Sequence, residues 1–457
     1  MPFENEFASY EPLRRIRESE RIKALEERLE IIRNTDNESE KLANKIISKE
    51  QLESTDWQPD WIIAIDGSLH EVPAEKNKFP NAEYGYITVA SVLINLADVR
   101  KLEQEEFIDP KAFRETEHTA SIETVIPGCN IVVDEDDSPK ESMRKILYEE
   151  LKRSSVFDDG ETLLQTYEYL LNIKRDNNPD SKPPVCPYDD CTDKLVYGYD
   201  EYQCNCEKKR KLYSTDAMRL HELFNEKGSN KELYGQIMST LERLWLIHIL
   251  RAIKAEYKAD LRRMVFILDG PLAVFSTSSW LTKSIIEELS NINKEQKKVN
   301  PVDILILGIE KSGTFVKHFE DIDNFSENDG TVIEHFPKQS ALLLDDTYIK
   351  ENIIFSKSDK LYGLDTYFGR KFFYKTQGGH RLVATVAFLS PEQQDIKTAY
   401  PNQFVRLADI MELLDTVASV QHPNAISPLI SAHAEAAIPL NLGKRILEQI
   451  ASEIRRQ

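Results

Sequence analysis

The sequence predicts an α/β fold built on a mixed sheet flanked by helices. Short continuous apolar runs at Trp61 to Ile65 and Met264 to Leu268, and a strong strand pattern at Val302 to Ile309, have the length and composition of buried strands. Stretches of helical period separate them, and runs rich in β-branched and aromatic residues recur on both sides of that order. A chain of 457 residues that is 41% hydrophobic can bury one large core with insertions, or two domains.

Residues 10 to 54 are charge-rich and helical in pattern, and Ile22, Leu25, Leu29 and Ile32 fall on one apolar stripe. The stripe suits either an outer helix lying on its own core or a surface for a partner. Pro59 ends the segment, the strand at 61–65 opens the core, and Tyr84 to Leu96 continues the sheet after a polar loop. Residues 98 to 175 read as mostly helical, with a solvated acidic loop at Asp134 to Asp137. A polar, proline-bearing stretch, Arg175 to Pro184, leads to a group of cysteines. A long helix over 233–258, a strand at 264–268, a helix near 279–293 and a strand at 302–309 follow. A strand pair at Thr366 to Tyr374 and Arg381 to Leu389 completes the sheet, and helices at 403–420 and 440–456 close the chain. Between them Ser427 and Pro428 begin another helix as N-cap and first-turn proline.

Two of the strands end in the same way. The first runs into Asp66, Gly67 and Ser68, and the second into Asp269, Gly270 and Pro271. An aspartate at the C-terminal end of a buried strand, followed by a glycine that lets backbone or ligand come close, suits a carboxylate that holds a divalent metal. Asp-Gly is also a common turn pair, and such an aspartate often caps the next helix. The recurrence at two central strands favours the metal reading.

Glu242 sits in the long helix among Trp245, Leu246, Ile249 and Ile253, so an unpaired carboxylate there is costly. A metal would relieve that cost, and so would Arg243. Lys311 follows the strand at 302–309, at the edge where the aspartates emerge, and suits neutralisation of a phosphate. Its surroundings, Lys-Ser-Gly, do not match the phosphate loop of ATP-binding proteins. His433 lies in the helix begun by Ser427; alone, such a histidine is more often a satisfied core residue than a ligand. His422 is similarly weak alone.

Charge narrows the function classes. The 58 basic and 78 acidic residues leave a net charge of −20, which argues against a basic coat for nonspecific nucleic-acid binding while leaving room for a locally basic cleft. No apolar run is long enough for a membrane span, and Met1 to Tyr10 holds Glu4 and Glu6 without an apolar signal core, which predicts a cytoplasmic protein. Four of the five cysteines, Cys186, Cys191, Cys204 and Cys206, cluster in a knuckle-like segment over 184–208 that suits a structural zinc. Their spacing departs from the usual paired Cys-x-x-Cys, and four reduced thiols remain the alternative. Cys129 reads as an ordinary small buried residue.

The Ile-Asp-Gly-Ser of 65–68, the glutamate helix followed by Leu-Asp-Gly-Pro-Leu at 268–272, the strand ending in Lys311 and Ser312, and Pro-Leu-x-x-Ala-His at 428–433 stand in an order that resembles the NurA nucleases. The resemblance covers a core over 59–440. It leaves a helical segment over 1–58, an insertion over about 100–232 that includes the cysteines, and a C-terminal helix over 441–457.

What the resemblance implies is an RNase H-like fold that hydrolyses DNA with manganese or magnesium, as a 5′ to 3′ exonuclease and single-strand endonuclease. It implies action in DNA repair or phage defence, as a homodimer working with a HerA-type hexameric ATPase. By position, Asp66, Glu242 and Asp269 match the metal-binding acids and His433 the terminal active-site histidine, with Lys311 able to offset developing charge. A Tyr-Pro pair upstream of that histidine is replaced here by His422 and Pro423. The rival readings are a catalytically inactive nucleic-acid-binding or assembly subunit of the same complex and a zinc-knuckle adaptor. The presence of all three acids favours the enzyme.

Overall fold

The computed structural model describes residues 10–29, 45–53, 57–74, 81–96, 117–134, 136, 138–177, 184–257, 261–326, 332–419 and 425–437. The chain divides into two units, Met1–Asn44 and Lys45–Gln457. In the first, α1 (Glu11–Glu18) and α2 (Glu20–Glu26) are separated at Ser19, whose backbone is extended. The helical reading of residues 10 to 54 is thus corrected: the helix is broken at Ser19, and Ile46–Ser48 is a strand. Ile32 lies outside the described residues.

The second unit is organised by a nine-stranded sheet in the order β1-β11-β12-β13-β8-β7-β2-β3-β4. Its strands are β1 (Ile46–Ser48), β2 (Trp61–Pro73), β3 (Glu83–Asn95), β4 (Glu117–Pro127), β7 (Met264–Asp269), β8 (Leu305–Glu310), β11 (Ser340–Leu343), β12 (Gly369–Lys375) and β13 (Arg381–Ala387). Two small hairpins stand apart, β5 (Glu201–Gln203) with β6 (Lys211–Tyr213) and β9 (Asn324–Ser326) with β10 (Val332–Glu334). The sheet is mixed as the sequence predicts. β2, β7 and β8 run parallel at its centre, and antiparallel strands extend it on both sides.

The central strands are buried along almost their whole length, because both faces are covered by helices. α3 (Pro139–Arg153) and α4 (Leu163–Asn177) join α5 (Lys231–Tyr257) and α6 (Leu281–Val299) in the same hydrophobic core. The Trp245 indole of α5 donates to Ser91 Oγ of β3 at 3.2 Å. α7 (Thr314–Asp323) follows β8, while α8 (Leu407–Val417) and α9 (Ser427–Ala436) come last.

The described part of residues 98 to 175 opens on a long strand before its helices, and 98–116 lie outside the described residues. β4 pairs along β3 from Tyr84 opposite Pro127 to Ile94 opposite Glu117, and only then do α3 and α4 begin. β4 buries Ile122, Thr124 and Ile126 and exposes Ser121 and Glu123, the alternation of an edge strand. α9 begins at Ser427 itself, with Ile426 as its cap, one residue from the expected register. His422 and the closing helix at 440–456 lie outside the described residues. Among the described residues, no helix is long and apolar enough to cross a membrane.

Candidate active site

Parallel pairing sets Ile65 opposite Leu268, so Asp66 and Asp269, the next residue on each strand, emerge side by side. Asp269 in turn lies opposite Ile309 of β8, two residues before Lys311. Lys311 Nζ stands 3.1 Å from Asp269 Oδ1 and 3.6 Å from Asp66 Oδ2. Asp66 does not end its strand as the sequence suggested: β2 runs on to Pro73, and it is only its parallel pairing with β7 that stops at Ile65. β7 and β8 end at Asp269 and Glu310, so three segments far apart in sequence meet where that pairing ends.

Successive residues of β2 point to opposite faces. Asp66 faces α9, which packs on β2 and β3 through buried Leu429, Ala432 and Ala436, and His433 Nδ1 lies 3.0 Å from Asp66 Oδ2. Small residues on this helix let it approach closely. The His433 ring is open to solvent, whereas Asp66 is only 3% exposed. His433 is thus a surface group held by a buried acid, not a core histidine.

Gly67 faces α5. A Cβ there would lie 2.5 Å from Glu242 Oε1 and 2.9 Å from Met238 Cγ, so the absent side chain is the space through which Glu242 reaches the strand. The Gly67 N–H donates to Asp66 Oδ1 at 2.7 Å. Gly270 serves differently: its φ of +82° makes the turn after Asp269, and its N–H bonds to Ile309 O at 2.8 Å.

Arg243 completes the arrangement. Its guanidinium pairs with Glu242 and donates to Ala273 O at 3.0 Å, Pro271 O at 3.2 Å and Ser239 O at 3.2 Å, tying α5 to the turn behind Asp269. A helical Glu-Arg pair in sequence allows this partnership without specifying it, since neighbouring residues on a helix do not normally face each other.

Burial, with neighbouring negative charge added to it, outweighs these partners. Burial and the neighbouring Asp269 charge push Asp66 up to about 6, against Lys311, His433 and the Gly67 N–H. Burial pushes Glu242 up to about 7 against the pull of Arg243, with Asp66 and Asp269 adding to the rise. A divalent cation would reverse both shifts, and hard carboxylate oxygens fit manganese or magnesium. The three acids do not all lie within 4.8 Å of one another; each is turned toward a cation of the chain, Lys311 or Arg243.

Among the described residues, the ligand group that does gather within 4.8 Å is Cys191, Asp193, Cys204 and Cys206, a set able to hold a metal ion. Cys186 belongs to the same buried cluster, so the four predicted cysteines meet. Asp193 was not apparent from the sequence; its only signal is the Cys-x-Asp spacing. Cys129 is buried, as expected for a structural cysteine.

Comparison with known proteins adds one finding. A family model described as NurA domain matches residues 61–438, from the start of β2 to just beyond α9. No curated protein matches the chain.

Proposed function

The chain belongs to the NurA family, and from that premise we propose that it is a divalent-metal-dependent deoxyribonuclease, a 5′ to 3′ exonuclease and single-strand endonuclease, whose active site is the acidic sheet edge. The observation that supports it is the meeting of Asp66, Asp269, Lys311 and His433 where the parallel pairing of β2 with β7 stops, with Glu242 entering through the gap at Gly67. We read the mixed sheet as RNase H-like and its metal as manganese or magnesium. The biological setting of the reading is DNA end processing in repair or phage defence.

Asp66, Glu242 and Asp269 would hold the metal, which when bound supplies Lewis-acid polarisation of the phosphate and activation of water. The chain's own groups do the rest. The Lys311 ammonium, already placed between two carboxylates, is positioned to offset charge that builds on the phosphate. With its Nδ1–H directed at Asp66, His433 presents Nε2 to solvent, where the neutral ring orients water and the imidazolium passes its Nε2 proton to the leaving oxygen. Arg243 holds Glu242 and the turn beyond Asp269 in one frame.

The test is incubation of the full chain with end-labelled single- and double-stranded DNA in manganese, magnesium or chelator. The expected result is shortening from 5′ ends and cutting of single strands, only with metal. DNA that is bound but uncut in either metal would overturn the enzyme reading in favour of an inactive DNA-binding or assembly subunit.

We further propose a homodimer working with a HerA-type hexameric ATPase, on the family's example and on the amphipathic N-terminal unit. Because β1 pairs with β11 in the main sheet, a clean deletion stops at residue 44. That deletion is expected to weaken co-elution with the ATPase at least about tenfold while leaving basal cleavage intact. Unchanged co-elution would remove the N-terminal unit from the docking surface.

A further inference from the structure

The segment from Pro184 to Tyr213 has little regular structure: a hairpin of two three-residue strands and an isolated bridge between Val185 and Lys194. Its apolar cluster is small, built on Leu195, Leu212 and the cysteines, with Tyr188, Tyr197 and Tyr202 packed around them. A segment with so little core needs another source of order.

Two loops meet there, and each is shaped around sulfur. In the first, Cys186 N–H bonds to Asp193 O at 3.0 Å, Cys191 N–H to Tyr188 O at 3.0 Å, and the Tyr188 N–H points at the Cys186 sulfur. In the second, Cys204 N–H bonds to Arg210 O at 2.8 Å and Lys209 N–H to Cys206 O at 2.9 Å. There the Cys206 N–H points at the Cys204 sulfur, and the N–H groups of Lys208 and Arg210 point at that of Cys206. Backbone donors aimed at sulfur are the outer contacts that orient thiolate ligands around a metal. Asp190 of the first loop pairs with Lys208 and Arg210 of the second, locking the loops together from outside.

The sulfur spacing has the scale of a coordination sphere. Zinc–sulfur bonds of ~2.3 Å in a tetrahedron put the sulfurs ~3.8 Å apart. Cys191 Sγ and Cys204 Sγ lie 3.8 Å apart, and all the cysteines are free thiols. Cys206 gathers with these two within 4.8 Å, and Cys186, outside that group, lies in the same buried cluster and interacts with Cys191 and Cys204. Three of the sulfurs thus already gather at the scale of a coordination sphere, with the fourth in the same cluster beside them.

We propose that Cys186, Cys191, Cys204 and Cys206 hold one zinc ion that staples this segment together, with the Asp193 carboxylate beside the tetrahedron and outside it. Cys186 rather than Asp193 is the fourth ligand on three grounds. Its sulfur is soft, it is buried while Asp193 is exposed, and it receives the Tyr188 N–H. The proposal does not depend on the nuclease reading, because thiolates and the acidic edge select different metals.

The test is elemental analysis of the full chain, purified reduced and passed through a chelator-containing column. About one zinc per chain is expected, released by a thiol-specific mercurial as four thiols react. This readout needs no variant to fold. Asp193→Asn is expected to keep the zinc, Cys204→Ser to lose at least nine-tenths of it, and Cys186→Ser to lose most of it. The cobalt-substituted wild type should show the intense charge-transfer absorption of four thiolates. Absence of zinc, stoichiometric iron in its place, or zinc kept by Cys186→Ser but lost by Asp193→Asn would overturn the assignment.

Discussion

Asp66→Asn is expected to lower metal-dependent DNA cleavage by at least about a thousandfold while leaving the metal-free protein no less stable. The first half follows from removing one hard ligand and its charge from the reacting edge, worth several kcal/mol of transition-state stabilisation. The second follows from the sign of the Asp66 shift. Its carboxyl is held up to about 6 in the fold, by burial first and then by Asp269, so the ionised form is a net cost to folding. That cost is present above about pH 6 and disappears as pH falls through 6 toward the usual carboxylate range. Asparagine is neutral, keeps an oxygen acceptor for the Gly67 N–H and can donate its amide N–H to His433 Nδ1 when that ring carries its proton on Nε2, so the fold loses a repulsion and keeps its hydrogen bonds with the second one reversed. Cleavage assays at saturating manganese, paired with thermal unfolding in chelator at pH 8, check both halves. Near-normal cleavage would remove Asp66 from the active site, and a large fall in metal-free stability would make its role structural.

The same reasoning explains how much the sequence could disclose. The strands carrying Asp66 and Asp269 were legible because strand segments covered on both faces read as unbroken apolar runs, and an Asp-Gly follows each run; that β2 continues beyond Gly67 to Pro73 was hidden by the polar residues that follow. Lys311 was placed at the right edge for the same reason. β4 was missed because an edge strand buries only alternate residues, and the polar Ser121 and Glu123 between Ile122 and its neighbours obscure it. β1 is three residues long and owes its strand conformation to pairing with Ser340, Ala341 and Leu342, a partner almost three hundred residues away. No local propensity encodes that. In the site, the identity of the acids was visible but their partners were not. That Arg243 takes Glu242 while Lys311 spans Asp66 and Asp269 is decided by strand register and helix packing. The cysteines illustrate the middle case: their clustering was legible, whereas the approach of Asp193 depends on a loop closed by the Cys186 N–H bond to its carbonyl.

The least conspicuous residue of the site carries the second large effect. Gly67→Ala is expected to reduce cleavage about a hundredfold and to cost ~1–3 kcal/mol of stability, although it adds only one methyl group. The Gly67 backbone is not in the left-handed region reserved for glycine, so alanine is not excluded by strain. The loss comes from space. The new Cβ would sit 2.5 Å from Glu242 Oε1 and 2.9 Å from Met238 Cγ, and ordinary contact requires roughly an ångström more. Met238 can swing aside, but Glu242 is buried and fixed through Arg243 to Ala273 and Pro271, so the carboxylate itself must leave its position. A ligand displaced by about an ångström no longer meets the metal or phosphate in a productive arrangement. If this is the route, the effect must pass through the Glu242 charge. Gly67→Ala should therefore weaken manganese binding, read by calorimetry, in the wild-type background and leave it unchanged in Glu242→Gln, a non-additivity expected only of residues acting through one another. Equal weakening in both backgrounds would assign Gly67 to the integrity of the strand, and wild-type cleavage by Gly67→Ala would show that Glu242 does not enter the site through this gap.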